Sequence, residues 1–94
     1  MALDEPLSQA DAKKLVRKIV SSGVVGYSKH ALGEMKKDGF GELEATAVLR
    51  AGLIKMPAEF EHGEWRYRVE TRNFAVVVAF ESETVLVVVT AWRY

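Results

Sequence analysis

Two short segments of this sequence carry the side chains best suited to acid–base and phosphate chemistry. Ser28-Lys29-His30-Ala31 has the form of a helix start, and Trp65-Arg66-Tyr67-Arg68 alternates arginine with aromatic residues as a strand does. An imidazole can move protons near neutral pH, and a guanidinium can bind two oxygens of one phosphate. If the fold brings the two segments together, they could cleave RNA without a metal ion.

Such a reaction requires activation of a 2′-hydroxyl, stabilisation of charge on phosphorus and protonation of the leaving oxygen. His30 is the candidate for proton transfer, and Arg66 and Arg68 are the candidates for binding the phosphate. Thr90 could donate a further hydrogen bond. The candidate substrate-binding residues have aromatic or basic side chains: Trp92, Tyr94, Lys29 and Arg72. A plainer interpretation makes His30 a partly buried helix residue and the arginines exposed strand residues paired with Glu70.

Other kinds of site find little support in the sequence. His62 precedes Gly63 in a predicted turn and is interpreted as a surface histidine. With two widely separated histidines and no cysteine, the chain has no metal-ligand spacing. Its glycines follow no phosphate-binding loop pattern, so no metal and no other cofactor is predicted.

Composition predicts the class of protein. The 94 residues suffice for one domain over 1–94, and 49% of them are apolar. No run approaches the roughly 20 apolar residues of a membrane span, and the N-terminus lacks a signal-peptide pattern. We therefore expect a cytoplasmic protein that does not enter membranes. The 13 basic and 13 acidic side chains cancel, which argues against a broad basic face but not against a local basic groove.

Hydrophobic spacing divides the chain into a helical first half and an alternating second half, which predicts an α+β fold. Three helices are expected, from Ser8 to Gly23, from Ser28 to about Lys37, and over 41–51. Four antiparallel strands then follow as a meander, over 53–60, 65–71, 74–81 and 84–93. The first helix carries four basic residues on one face, interpreted as a solvated surface or as a contact for RNA or an acidic partner: Lys13, Lys14, Arg17 and Lys18.

Two-residue turns at Arg72-Asn73 and Ser82-Glu83 would set which side chains share a face of the sheet. One face is then apolar and should carry the helices: Trp65, Tyr67, Val69, Phe74, Val76, Val78, Phe80, Val85, Val87 and Val89. The other face combines small apolar residues with charged and aromatic ones: Arg66, Arg68, Glu70, Ala75, Val77, Ala79, Leu86, Val88, Thr90, Trp92 and Tyr94.

This second face has two interpretations. It is either a groove in which RNA bases stack on aromatic rings, or an interface for a protein partner or a second copy in a homodimer. Because the helices are expected on the first face, His30 must reach around a sheet edge to join the arginines.

Several motifs resemble those of a family of small bacterial domains of unknown function. The stretch from Tyr27 to Met35 resembles the family's S-x-H-A-x-x-R-M segment, with Glu34 where the family has arginine. A helix ending in Gly52 and the strand motif Arg66-Tyr67-Arg68-Val69 also resemble the family, as does the final Thr90-Ala91-Trp92-Arg93.

That family is similar in layout to the RelE-like and MqsR-like toxins of bacterial toxin–antitoxin systems. The resemblance implies a toxin fold of helices followed by a sheet. It also implies a metal-independent endoribonuclease that acts on single-stranded or ribosome-bound mRNA and is bound by a cognate antitoxin protein. The alternative is a non-catalytic domain that binds a protein through the open sheet face.

Overall fold

The computed structural model describes residues 3–94, and in them the chain forms three helices and five strands. In chain order these are α1 (Gln9–Ser22), β1 (Val24–Tyr27), α2 (Lys29–Lys37), α3 (Glu42–Ala51), β2 (Glu59–Glu61), β3 (Glu64–Glu70), β4 (Phe74–Phe80) and β5 (Val85–Arg93). The strands lie in the order β1-β5-β4-β3-β2. Strand β1 runs parallel to β5 and the other pairs are antiparallel. The predicted α+β class and its three helices are confirmed.

The predicted four-stranded antiparallel meander is wrong, because the sheet has five strands and is mixed. Strand β1 is too short, at four residues, to show a clear alternation in the sequence. The strand expected over 53–60 shrinks to β2 and one isolated bridge between Leu53 and Glu70. Pro57 lies between these two pairings, and proline cannot donate the hydrogen bond that a continuous strand would need there.

The helices begin and end where capping residues predict. The Ser8 hydroxyl accepts a hydrogen bond from the Asp11 amide at 3.1 Å, and the Ser28 hydroxyl accepts one from the Ala31 amide at 3.0 Å. The Gly41 amide donates to the Glu44 carboxylate at 3.0 Å at the start of α3, which ends before Gly52. Among the described residues no helix is both long and apolar enough to cross a membrane.

Two residues of the basic face of α1 hold that helix against α3. The Lys13 ammonium donates to the carbonyl oxygens of Leu49 and Arg50, each at 3.2 Å. The Arg17 guanidinium donates to the Arg50 carbonyl at 3.4 Å. Carbonyls in the last turn of a helix have no partner within the helix, so these cations cap the end of α3. Burial, followed by the charge of Arg17, lowers the pKa of Lys13.

The core lies between the three helices and one face of the sheet. Strand β5 contributes Leu86, Val88 and Ala91 to it, all fully buried. The predicted contribution of alternate valines from Val85 to Val89 is therefore wrong, and so is the placement of Leu86 and Val88 on the opposite face. The cause is a connection from Glu81 to Thr84 that is longer than a two-residue turn and shifts the register by one residue, pairing Phe80 with Leu86.

A β-bulge restores the predicted faces farther along β5. Val78 pairs with Val88, but Val77 pairs with Thr90, so Val89 is an extra residue with no partner in the ladder. Beyond the bulge, Thr90 and Trp92 lie on the face opposite the core, on the same side as Val77. This face, which we call the outer face, is where the sequence analysis expects them.

Candidate functional site

The outer face of the sheet carries an open groove of about 250 Å³. Its lining comes from the β2 region and from strands β3, β4 and β5: Pro57, Glu59, Glu61, Arg66, Arg68, Val77, Thr90 and Trp92. We call it the arginine groove. Arg68 pairs with Val77 and Val77 pairs with Thr90, so these three residues lie side by side across neighbouring strands. The groove thus brings together Arg66, Arg68, Thr90 and Trp92, four of the residues selected from the sequence.

A second cavity of about 420 Å³ adjoins the arginine groove. It is lined by residues from α2, β3, β5 and the β2–β3 turn: Ser28, His30, His62, Arg66, Val89 and Thr90. We call it the histidine cavity. Because Arg66 and Thr90 line both spaces, the two lie next to each other, and together we call them the depression.

His30 reaches this depression because the first turn of α2 lies beside the bulge of β5. The Ser28 amide donates to the Val88 carbonyl at 2.9 Å, and the Ser28 hydroxyl donates to the Val89 carbonyl at 3.0 Å. Since Ser28 is also the N-cap of α2, the strand position determines the helix position. His30 is exposed rather than partly buried, and it lines the histidine cavity together with Arg66 and Thr90.

His62 is the residue of this site that the sequence analysis does not select. It is exposed in the turn between β2 and β3, as predicted, and it also lines the histidine cavity. Its presence in the same cavity as His30 depends on how the β2–β3 hairpin lies relative to α2. No local sequence pattern reports that relation, because the two histidines are far apart in the chain.

Each arginine of the groove is paired with carboxylates. Arg66 Nη1 lies 3.4 Å from Glu61 Oε2, and Arg66 Nε donates to Glu64 Oε2 at 3.1 Å. Arg68 Nε lies 3.4 Å from Glu70 Oε2. The predicted pairing of the arginines with Glu70 is thus found for Arg68. A phosphate entering the groove would compete with these carboxylates for the guanidinium groups.

The Arg68 guanidinium retains an unused donor. Its Nε atom is buried and makes no hydrogen bond to any residue of 3–94, although the Glu70 carboxylate is nearby. Glu70 also accepts a hydrogen bond from the Tyr94 hydroxyl. That hydrogen bond, together with burial, raises the pKa of Tyr94. The Glu70 carboxylate, 3.4 Å away, is the charge partner of the buried Arg68 Nε atom.

Three of the residues selected as substrate contacts lie outside the linings of both spaces. Lys29 is exposed at the start of α2, beside His30 in sequence, and Arg72 is exposed in the turn between β3 and β4. Tyr94 follows β5, and its ring meets that of Trp92 edge to face with centroids 6.3 Å apart. Trp92 is therefore the aromatic side chain that the groove itself presents.

Within residues 3–94, no three or more histidine, cysteine, aspartate and glutamate side chains are grouped so as to hold a metal ion. The polar groups of the depression are instead two imidazoles, two guanidiniums, hydroxyls and carboxylates. This set can transfer protons and bind anionic oxygens.

Comparisons with known proteins identify a family. No curated protein and no solved structure matches the chain significantly. A family model described as a domain of unknown function, DUF4258, matches residues 27–93. That span runs from β1 to β5 and includes every residue lining the arginine groove and the histidine cavity. The chain therefore belongs to DUF4258, a family of domains whose function is unknown.

Proposed function

We propose that this protein is a metal-independent endoribonuclease that acts as the toxin of a toxin–antitoxin system. One observation carries the proposal: His30, Arg66 and Thr90 line a single cavity. A proton-transfer group, a cation for phosphate and a neutral hydrogen-bond donor are the functions that cleavage of RNA without a metal requires.

The proposed reaction uses the 2′-hydroxyl of the RNA itself as nucleophile. An imidazole takes the proton from this hydroxyl, and the 2′-oxygen forms a bond to the neighbouring phosphorus. The bond from phosphorus to the 5′-oxygen breaks, and that oxygen receives a proton. The products are an RNA with a 2′,3′-cyclic phosphate and an RNA with a free 5′-hydroxyl. Arg66 and Thr90 donate hydrogen bonds to the non-bridging phosphate oxygens, whose charge increases in the transition state.

The arginine groove supports single-stranded RNA as the substrate. Trp92 lines the groove next to the cavity, and stacking of an unpaired base on an aromatic ring is worth about 1–3 kcal/mol. Arg68 can bind the adjoining phosphate, and Tyr94, Lys29 and Arg72 are proposed as outer contacts of the strand. The proposed targets are single-stranded or ribosome-bound mRNA in the cytoplasm, with an antitoxin protein as the regulating partner. The antitoxin rests on the resemblance to RelE-like and MqsR-like toxins.

A second candidate function is favoured by the ion pairs of the groove. Arg66 lies against Glu61 and Glu64, and Arg68 lies against Glu70, so the charges of the outer face are largely balanced. A balanced surface with apolar and aromatic residues suits a protein partner as well as RNA. The same face would then serve a non-catalytic interaction domain.

Cleavage of a single-stranded RNA oligonucleotide in the presence of EDTA tests the proposal. We expect the wild-type protein to cleave it and to leave a 2′,3′-cyclic phosphate. His30→Ala should slow cleavage by about 10²–10⁴-fold, the usual contribution of general acid–base catalysis. Arg66→Ala and Arg68→Ala should also slow it. Lys36→Ala, an exposed change on the same helix away from both cavities, is the matched control and should cleave normally.

Induced expression in bacteria provides the second readout. Growth should stop with the wild-type chain and with Lys36→Ala, but continue with His30→Ala. Arrest that persists with both His30→Ala and Arg66→Ala would reject the site. Absence of both RNA cleavage and growth arrest in the wild type would reject the enzyme and leave the interaction domain as the better account.

A further inference from the structure

We propose that His62 is a second catalytic residue and forms an acid–base pair with His30 across the histidine cavity. This inference rests on the proposed ribonuclease function and adds a residue to its mechanism. One histidine accepts the proton of the 2′-hydroxyl, and the other donates a proton to the leaving 5′-oxygen.

The topology of the sheet supports this pair. His30 belongs to α2, which packs against β5 near one edge of the sheet. His62 lies at the tip of the hairpin formed by β2 and β3 at the other edge. Both nevertheless line the same cavity, so the two imidazoles approach it from opposite edges of the sheet. In a direct displacement the attacking and leaving oxygens lie on opposite sides of phosphorus, which is the arrangement that two separate proton-transfer groups can serve.

The residues around the two histidines suit a phosphate held between them. Arg66 and Thr90 line the cavity together with His30 and His62, and both can donate hydrogen bonds to phosphate oxygens. The charged groups near the pair are Arg66 and its carboxylate partners Glu61 and Glu64 from the hairpin. On the side of α2 the nearest charged residue in sequence is Lys29.

The hairpin turn that carries His62 is tight. His62 has a φ of 51° and Gly63 a φ of 79°, and the flanking Glu61 and Glu64 are paired across the hairpin. Two central residues with positive φ are the mark of a tight two-residue turn in which Asn-Gly is the preferred sequence. Histidine is among the residue types enriched at positive φ, so this turn can hold His62 at the tip of the hairpin.

The two histidines can complete both proton transfers without another reactant. The neutral imidazole becomes an imidazolium as it takes the 2′-hydroxyl proton, and the initial imidazolium becomes neutral as it protonates the 5′-oxygen. When the products leave, exchange with water returns both groups to their starting forms. The mechanism therefore requires one neutral and one protonated histidine, which predicts a bell-shaped dependence of the cleavage rate on pH.

His62→Asn is the variant that tests this inference with least disturbance. It removes the imidazole but supplies the residue that the turn prefers before glycine, so the thermal midpoint should be unchanged or higher. Cleavage of the RNA oligonucleotide should slow by about 10²–10⁴-fold, and one limb of the pH–rate profile should disappear. His30→Asn should remove the opposite limb.

A substrate with an activated leaving group separates catalysis from a structural role. Uridine 3′-(4-nitrophenyl phosphate) releases nitrophenolate, which needs no proton. The variant that lacks the general acid should therefore cleave it at close to the wild-type rate, and the variant that lacks the general base should not. We expect one of the two asparagine variants to be rescued in this way, which also assigns the two roles.

Three results would overturn the inference, and they are distinguishable. Unchanged cleavage of both substrates by His62→Asn would leave His30 as the catalytic histidine and reject the pair. If neither His30→Asn nor His62→Asn cleaves either substrate, the loss of activity would be a structural effect and the pair would be rejected. A wild-type protein that cleaves neither substrate would reject the proposed ribonuclease function itself.

Discussion

Arg66 lines both the arginine groove and the histidine cavity, and it is the cation proposed to bind the reacting phosphate. Its guanidinium already contacts Glu61 and Glu64, and its side chain is 22% exposed. Partly exposed ion pairs of this kind are each worth about 0.2–1 kcal/mol. A phosphate group can replace the Glu61 and Glu64 carboxylates at the guanidinium, but breaking these ion pairs reduces the free energy of phosphate binding.

Removing one of these carboxylate charges should therefore strengthen RNA binding. We expect Glu61→Gln to raise the affinity for a short single-stranded RNA by about 1.4-fold to fivefold, the equivalent of one exposed ion pair. Fluorescence of Trp92 on titration with RNA is a suitable measurement, because this ring lines the groove. Glu83→Gln makes the same change in net charge outside both cavities and is the control. Equal increases in RNA affinity for Glu61→Gln and Glu83→Gln would show that net charge, and not the ion pair with Arg66, controls the affinity.

Tyr67 makes stability depend on pH in the alkaline range. The side chain is buried, and its hydroxyl donates to Glu5 Oε2 at 2.8 Å and accepts from the Leu7 amide at 3.0 Å. Burial is the main cause that raises the pKa of Tyr67 to about 12 from the usual 10.0.

A raised pKa means that the folded protein keeps the phenol proton at a pH where the unfolded chain has lost it. The stabilisation is therefore complete below about pH 10 and is lost as the pH rises toward 12. We expect the free energy of unfolding of the wild type to fall across this interval. Tyr67→Phe should have a flatter profile there, measured by urea denaturation at a series of pH values. Parallel profiles for the two proteins would contradict this account.

At the scale of elements, the helices could be predicted from the sequence, but the sheet could be predicted only in part. Helix ends follow local rules, so Ser8, Ser28 and Gly52 indicate them directly. Strand faces depend on the length of each connection and on bulges, which are tertiary features. The register shift after Phe80 and the bulge at Val89 each reverse the face of the following residues, so the sequence predicts the correct face for Thr90 despite an incorrect register.

The same distinction applies to the candidate site. Alternation along a single strand is a local property, and it places Arg66 with Arg68 and Thr90 with Trp92. That the two pairs share the outer face depends on the register between the strands. That His30 and His62 line the same cavity depends on the relative placement of α2 and the β2–β3 hairpin. That placement results from packing of the whole core, so the sequence pattern carries no signal for it.

Ser28 couples the start of α2 to the bulge of β5, and a matched pair of variants measures this coupling. Ser8→Ala and Ser28→Ala each remove an N-cap hydroxyl, which costs about 0.5–2 kcal/mol of stability. Ser28→Ala also removes the hydrogen bond to the Val89 carbonyl. We expect urea denaturation to show destabilisation in both variants. RNA cleavage should fall only in Ser28→Ala, because loss of the Ser28 hydroxyl displaces His30. Equal cleavage by the two variants would show that the cap does not position His30.

At the scale of the whole molecule, the balance of charge limits how the protein can hold RNA. The 13 basic and 13 acidic residues give no net charge to attract a nucleic acid over a wide surface. Lys13 and Arg17 of the basic face of α1 are engaged with the end of α3. The proposed binding of RNA would therefore rely on local contacts in the groove, chiefly those of Arg66 and Arg68.

This limit predicts a weak dependence of RNA affinity on salt. For single-stranded nucleic acid, the logarithm of the binding constant falls with the logarithm of salt concentration by about 0.7 per phosphate neutralised. Contacts from Arg66 and Arg68 should give a slope of about −1.4, and phosphate contacts from Lys29 and Arg72 as well would bring it to about −2.8. Arg68→Ala should make it shallower by about 0.7, whereas a double change of Lys14 and Lys18 to alanine should leave it unaltered. A wild-type slope near −4 that the lysine changes reduce would show that α1, and not the groove, is the main RNA-binding surface.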